Sequence, residues 1–368
     1  MAFIQLVQIT KRFDEITALD QLNLTIDDGE YVCVLGPTGA GKTTLLRIIA
    51  GLTQPNSGDI IIDGQRVNDW SPEDRDTIYM FQQYALFPHM NVWDNIAYGP
   101  TVKNWDDAKI KKLASEILDM VRLTGRADAL PQELSGGMQQ RVALGRGIAS
   151  GARILLLDEP LGALDARLRV DLRAQLRKLV KDQGLTAIHV THDQEEALMI
   201  GDRIVVLRNG CIEQIGHPLE IYTQPQSIFV ANFVGGANFI EGNVIEATEI
   251  ASVIEIRGGL RITVQKVGYP EGERVVVAFR LDDTFITTEV RDGMNNLPGR
   301  IVSSMFTGGF MEYEIALDND VQIQSKTLIY EGFQAFQPND RVMISFPPDQ
   351  CFMFPYPESG LLKEIEAI

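Results

Sequence analysis

The chain has 368 residues, 45% of them hydrophobic and 23% charged, with a formal net charge of -17. This length accommodates two or three domains around a sizeable core, and the acidity disfavours direct nucleic-acid binding by bulk electrostatics. No apolar run approaches the ~18 residues of a membrane-spanning helix, and residues 1–5 lack the basic-then-apolar layout of a signal peptide. Any membrane role is therefore expected to need a partner that spans. The three cysteines, Cys33, Cys211 and Cys351, are far apart and form no CxxC spacing, which points to a reducing compartment. Cys33 lies in an apolar run and is expected to be a small core residue.

In chain order, residues 1–235 alternate short apolar runs with amphipathic stretches, the pattern of α/β architecture. The apolar run at 31–35 predicts a strand, and 45–52 predicts a helix. Between them lies Gly36-Pro37-Thr38-Gly39-Ala40-Gly41-Lys42-Thr43-Thr44. Residues 89–150 are expected to be mainly helical, with apolar residues at helical spacing over 106–124: Ile110, Leu113, Ile117, Leu118 and Val121. A further helix is predicted from Gly136 to about Ala149. Strands are predicted at 154–158 and 186–191. Residues 224–236 read as a connector that includes a docked helix at 228–234. From 236 onward short β-rich runs dominate, at 253–256, 274–279, 299–305, 312–317 and 341–346. Turn signals at Asn295-Asn296, 317–320 and 346–348 separate them, which predicts a small all-β, barrel-like domain.

Strand, glycine-rich turn and helix form the context in which GxxxxGK[ST] binds phosphate. Glycines let backbone N–H groups fold around an anion, and the new helix presents its free N–H groups and positive dipole end. Lys42 can reach the β/γ-phosphates, and the Thr43 hydroxyl can sit on Mg²⁺. The run 154–157 ends in Asp158-Glu159-Pro160, which puts carboxylates at a strand's carboxyl edge, where ligands of open α/β sheets bind. Asp158 can hold Mg²⁺ through water, and Glu159 can orient or deprotonate an attacking water. Read alone, such carboxylates are also common loop residues. Leu134-Ser135-Gly136-Gly137-Met138-Gln139-Gln140-Arg141 offers a second helix-start anion site, though in isolation an ordinary capped helix is the favoured reading.

The glycine loop, the Leu-Ser-Gly-Gly helix start and the Leu-Asp-Glu-Pro strand end, in that order, resemble the ATPase subunits of ATP-binding-cassette transporters. The resemblance covers residues 3 to about 235. Leu161-Gly162-Ala163-Leu164-Asp165 resembles the family's D-loop, Val190-Thr191-His192-Asp193 its switch-histidine motif, and residues 81–89 its Q-loop region. The resemblance implies a P-loop NTPase (RecA-like) core with a helical subdomain at about 89–150. It implies ATP and Mg²⁺ as cofactors. It implies that Phe13 stacks on adenine, although a core aromatic is the rival reading. Gln82 would sense the γ-phosphate and Mg²⁺, and His192 would contact the γ-phosphate. Asp165 would act across a head-to-tail homodimer interface, and Ser135, Gly136 and Gly137 would close the neighbour's nucleotide. His189, in the same strand as His192 but facing the other way, is assigned no chemistry.

Two departures stand out: Met138 where the family commonly has glutamine, and Gly145-Arg146-Gly147 where alanines commonly flank the arginine. The first is expected to leave site geometry intact, the second to loosen the helix by up to about 1 kcal/mol per glycine. The β-rich region, 236–368, resembles the OB-like (TOBE) domain of importer subunits, expected here to regulate and stabilise the dimer. Arg280 is followed there by Leu281-Asp282 instead of the frequent proline-acidic pair. The segment 237–242 looks slightly more like subunits serving polyamines, ferric iron or oxyanions than those serving sugars. Integral-membrane permease subunits and, indirectly, a solute-binding protein are the implied partners, at the cytoplasmic face of the cell membrane. Phe87, Pro88, His89 and Met90, within the stretch 84–95, are candidates for the permease contact. Rival readings are a soluble repair or translation ATPase, an exporter subunit and a non-hydrolysing nucleotide-binding module. The first lacks its expected coiled coil or second cassette here, and intact Glu159 and His192 speak against the last.

Overall fold

The computed structural model describes residues 2–80, 85–162, 166–265 and 268–366. Gln82, Ala163, Leu164 and Asp165, and with them Phe81, Gln83 and Tyr84 of the stretches 81–89 and 84–95, lie outside the described residues. The chain forms two compact units that divide between Ile221 and Tyr222.

The first unit opens with β1 (Ile4–Phe13) and β2 (Ile16–Ile26), a hairpin. β3 (Tyr31–Leu35), α1 (Lys42–Ile49), β4 (Ser57–Ile62), β5 (Gln65–Arg66) and β6 (Thr77–Met80) follow. Three helices come next: α2 (Val92–Val102), α3 (Asp107–Met120) and α4 (Gly136–Ala149). The unit closes with β7 (Ile154–Asp158), α5 (Ala166–Asp182), β8 (Thr186–Thr191), α6 (Gln194–Ile200), β9 (Arg203–Arg208) and β10 (Cys211–Gly216). β2, β1, β4 and β5 make an antiparallel sheet in that order, and the second sheet is ordered β10-β9-β3-β8-β7-β6. Within the second, β3, β6, β7, β8 and β9 run parallel.

Every residue of β3, β7 and β8 is buried. This is why these strands read as continuous apolar runs and not as alternating ones. Leu45, Leu46, Ile48 and Ile49 of α1 join them and residues of β1, β2 and β4 in one core. Side chains start the helices: Asn91 accepts from Asp94 N, Asp106 from Ala108 and Lys109 N, and Ser135 from Met138 N. The carboxyl ends of β3, β7 and β8 lie side by side in this sheet.

The second unit contains two five-stranded antiparallel sheets. One is ordered Arg261–Val264, Ser252–Ile256, Ala237–Ala247, Arg274–Arg280, Phe352–Pro355. The other is ordered Phe285–Thr287, Arg341–Phe346, Asn295–Phe306, Phe310–Leu317, Gln322–Leu328. They share one core that includes stacked Phe279 and Phe346 rings, 3.9 Å between centroids. Asn295-Asn296 is not a turn: both residues begin a strand, paired with Phe346 and Ser345. Asn295 exchanges hydrogen bonds with Thr263 N and O, at 2.7 and 2.8 Å, so its side chain extends the ladder where a turn residue would end it.

The helix Ile228–Phe233, capped by Ser227, packs with Val276, Ala278, Phe352 and Phe354. Arg280, 1% exposed, donates to the carbonyls of Ala231, Val234, Gly236 and Tyr222. Its guanidinium lies 4.4 Å from the Tyr222 ring centroid. Burial lowers its pKa, with Tyr222 and nearby carboxylates acting against that. These contacts tie residues 222–236 to the β-rich unit, which is why the compact units divide ahead of Gly235.

Candidate active site

The loop after β3 is shaped by contacts that only glycine allows. A Cβ on Gly36 would lie 2.2 Å from the Leu207 carbonyl oxygen. Gly41, at φ 103, precedes α1, and a Cβ there would meet Ala18 O at 2.3 Å. Lys42, 8% exposed, donates from Nζ to Gly36 O at 2.7 Å and Pro37 O at 2.9 Å. Burial lowers the Lys42 pKa, and the Glu159 and Asp158 carboxylates act against it. An ammonium group folded onto its own loop, at a helix start whose first N–H groups have no intrahelical partners, fits a polyphosphate substrate.

Opposite the loop, Asp158 ends β7. Its Oδ1 accepts from Thr43 Oγ1 at 3.1 Å and its Oδ2 from the Tyr79 hydroxyl at 2.8 Å. A hydroxyl and one carboxylate are the donor set that suits Mg²⁺, which completes its shell with water and phosphate oxygens. Among the described residues no cluster of three or more His, Cys, Asp or Glu could hold a metal alone. Burial, followed by the hydrogen bond to Asp158, raises the Tyr79 pKa, so the hydroxyl stays protonated and can only donate to the carboxylate. Tyr79 was not singled out from sequence. It sits in a short edge strand without a motif, in register with Leu156. Tyr79→Phe is expected to weaken apparent Mg²⁺ affinity about fivefold, the value of one hydrogen bond near 1 kcal/mol. Magnesium titration of thermal stability at fixed ATP reads this directly, and an unchanged midpoint would refute it.

Glu159 follows with φ 50, a left-handed backbone that a non-glycine residue adopts at some cost. Its N–H donates to Val190 O at 3.0 Å, and its Oε1 lies 3.1 Å from His192 Nδ1. Lys42, Thr43, Asp158, Glu159 and His192 thus gather at the ends of β3, β7 and β8. Phe13 ends β1 and is 47% exposed, which removes the core-aromatic reading; the Lys11 ammonium lies 4.8 Å from its ring centroid. Cys33 is buried, as expected of a core residue, and all three cysteines are free.

Ser135, Gly136 and Gly137 stand at the start of α4. Ser135 Oγ accepts from the backbone N–H of Met138 at 3.3 Å, so the Met138 side chain takes no part in the cap. Gln140, 2% exposed, donates to Pro160 O at 2.7 Å and so links this helix to the turn after Glu159. Its place inside the quoted motif carried no hint of that. Gly145 has a packing reason: a Cβ would lie 2.8 Å from Ile117 Cγ2 and 3.3 Å from Ile96 Cδ1. It lets α4 approach α2 and α3 closely, so looseness is not its main consequence.

His189 lies fully buried behind the site. Its Nδ1 is 2.9 Å from the Tyr31 hydroxyl, and its Nε2 is 3.3 Å from Glu196 Oε1. Glu196 Oε2 accepts from Thr191 Oγ1 at 2.7 Å. Burial raises the Glu196 pKa, but His189, Thr191 and Arg173 together outweigh it and lower the value. The residues around Phe87 are also pinned. Fully buried Asn95 accepts from Phe87 N and donates to the carbonyls of Phe87, Met90 and Asn91. Phe87 packs on Tyr98 at 4.4 Å and under Arg146 at 4.9 Å, beside a cavity of about 380 Å³ that Tyr79 also lines.

Comparison with known proteins agrees with this geometry. Residues 19–162 match the ABC transporter family model, and residues 260–354 match the TOBE domain. The chain is 40% identical to the spermidine/putrescine import ATP-binding protein PotA of Nitrosomonas eutropha, over 95% of this chain and 98% of the relative. It is 43% identical to the Fe(3+) ions import ATP-binding protein FbpC of Agrobacterium fabrum, over 83% of this chain and 86% of that relative. A dimeric ATP-binding cassette solved in a post-hydrolysis state with ADP and Pi superimposes with TM-score 0.53 at 34% identity, covering 58% of this chain and 98% of that one. A second dimeric bacterial ABC transporter cassette gives TM-score 0.54 at 35% identity, with 58% and 98% covered. The chain belongs to the ATP-binding-cassette transporter family: it is an ATP-hydrolysing subunit of the import type, with a P-loop α/β core and a C-terminal TOBE domain.

Proposed function

We propose that this chain works as a head-to-tail homodimer beneath separate permease subunits, and that the imported solute is a polyamine. The clustering of Lys42, Thr43, Asp158, Glu159 and His192 carries the hydrolytic part of the proposal, and the importer relatives carry the rest. Lys42 and the 36–44 loop bind the phosphates, Phe13 stacks on adenine, and the partner's Ser135, Gly136 and Gly137 close the same nucleotide from across the interface. Thr43, Asp158 and Gln82 would hold Mg²⁺, which would supply charge neutralisation at the phosphates. Glu159 orients the attacking water and takes its proton, His192, 3.1 Å from Glu159, aligns that carboxylate, and His192 also contacts the γ-phosphate, as the family resemblance implies. Gln82 and Asp165 carry the signal to the insertion and across the interface.

Among the described residues no helix is long and apolar enough to cross a membrane; the importer relatives support a peripheral position at the cytoplasmic face, held by the permease. The loop pinned by Asn95 and the adjoining cavity support Phe87, Pro88, His89 and Met90 as the permease contact. The names of the relatives support a polyamine first and ferric iron second. Uptake of labelled spermidine, putrescine and ferric iron in cells lacking this chain tests the proposal. Polyamine uptake is expected to fall and to return with the wild-type chain but not with Lys42→Ala. Intact polyamine uptake with lost iron uptake would overturn the solute assignment. Restoration by Lys42→Ala would overturn the site.

A further inference from the structure

Helix α5 begins immediately after Asp165 and carries Arg169, Arg173, Arg177 and Lys181 at successive i, i+4 positions, which puts them on one face. That face grips both ends of the short helix α6. At the start of α6, Asp193 Oδ2 receives Arg169 Nη1 at 3.3 Å and Arg173 Nη2 at 2.5 Å. Past its end, Arg177 pairs with Asp202 at 2.7 Å and donates to the Ile200 carbonyl, and Lys181 pairs with Asp202 as well. Asp202 in turn accepts from the Tyr31 N–H at 2.7 Å, where β3 begins.

The Asp193 carboxylate is divided between two tasks. Oδ1 caps α6 by accepting from Glu196 N at 3.0 Å, and Oδ2 holds the arginines. The backbone N–H of Asp193 donates to Thr191 Oγ1 at 3.0 Å. Both flanks of His192 are therefore held while its ring projects, exposed, toward Glu159. Exposed ion pairs fix little, but Arg173 is 2% exposed, and a buried cation is costly to leave unpaired.

We propose that Arg173, assisted by Arg169, is a positioning residue for ATP hydrolysis: through Asp193 it sets where His192 stands. A displacement of the start of α5, where the chain enters from Asp165, would then be felt at His192. This rests on the proposed role of His192 in hydrolysis. A mere staple between helices would be a different thing, costing stability without regard to His192.

The test uses the full chain and three measurements: unfolding temperature, ATP affinity in Mg²⁺-free buffer, and steady-state kcat. Arg173→Met is expected to lower kcat about tenfold with ATP affinity within about twofold, and Arg173→Lys to recover part of the loss. Arg169→Met, at a less buried position, should show a smaller loss of the same kind, and it serves if Arg173→Met does not fold. Combined with His192→Ala, either substitution should lower kcat no further, because the group it positions is gone. Arg177→Met, at the far end of the same face, should lower the unfolding temperature with kcat within about twofold. Full additivity with His192→Ala would overturn the inference, as would an equal kcat loss in Arg177→Met. Full turnover in His192→Ala alone would overturn the role of His192 itself, a separate result.

Discussion

Glu159→Gln is expected to lower kcat for ATP hydrolysis by at least a hundredfold while ATP affinity stays near wild type. The amide matches the carboxylate in shape but cannot accept the proton of an attacking water, a contribution of about 10²–10⁴ in rate. The substitution leaves the backbone at φ 50 and the N–H bond to Val190 O in place, so the turn that presents the side chain should survive. Lys42, Thr43 and Asp158 are untouched, so nucleotide still binds. On the proposed two-protomer arrangement, the variant should also accumulate as an ATP-bound dimer, because release requires hydrolysis. Phosphate release, equilibrium ATP binding and light scattering with and without ATP check the three parts. Turnover within tenfold of wild type would remove Glu159 from the proposed chemistry. An inactive variant that stays monomeric at saturating ATP would remove the dimer.

The second large effect is steric. Gly36→Ala would drive a methyl group to 2.2 Å from the Leu207 carbonyl oxygen and 3.2 Å from Ala40 Cβ. The first obstacle is backbone at the end of β9, beside β3 in the middle of its sheet, and it has no rotamer to change. A loss of about 2–4 kcal/mol is expected, the range for overpacking at a site that cannot relax. For a domain of this size that lowers the unfolding temperature by roughly 5–15 °C. ATP affinity should fall at least about tenfold, because the loop must shift to relieve the clash. Gly39→Ala is the internal control. Gly39 sits at φ 83, and a methyl group there would meet nothing within 4 Å, so only the left-handed backbone costs anything, about 1–2 kcal/mol. Thermal unfolding and nucleotide titration of the two variants side by side give the comparison. Equal stability would mean that the Leu207 contact does not shape the loop.

The chemistry-bearing ends of strands were legible in the sequence because buried parallel strands read as apolar runs, and the residue where each run stops stands at the sheet's edge. Leu35, Asp158 and Thr191 end β3, β7 and β8, and the motif residues follow or close each run. The helices of 89–150 were legible for a similar reason: their buried faces repeat at helical spacing, as with Ile117, Leu118 and Val121. What stayed hidden depends on partners distant in sequence. The Tyr79 hydroxyl meets a carboxylate 79 positions on, and Gln140 meets the Pro160 carbonyl. Nothing local distinguishes such a tyrosine or glutamine from one that faces solvent. Asn295-Asn296 misled because asparagine usually marks turns by bonding to its own neighbourhood. Here Asn295 bonds to Thr263, and Asn296, beside its local bonds, accepts from the Ser345 hydroxyl, long-range partners that only the folded β-domain supplies.

The Arg280 guanidinium sets where a separable C-terminal piece can begin. Three of its four carbonyl acceptors, those of Tyr222, Ala231 and Val234, precede Gly236. Cutting the gene at the sequence-derived boundary would strip them away and leave Arg280 with only the Gly236 carbonyl of the four, at a cost of several kcal/mol. An excised β-rich fragment should therefore start at Tyr222, so that the connecting segment is inherited as part of the module and not left behind as slack tether.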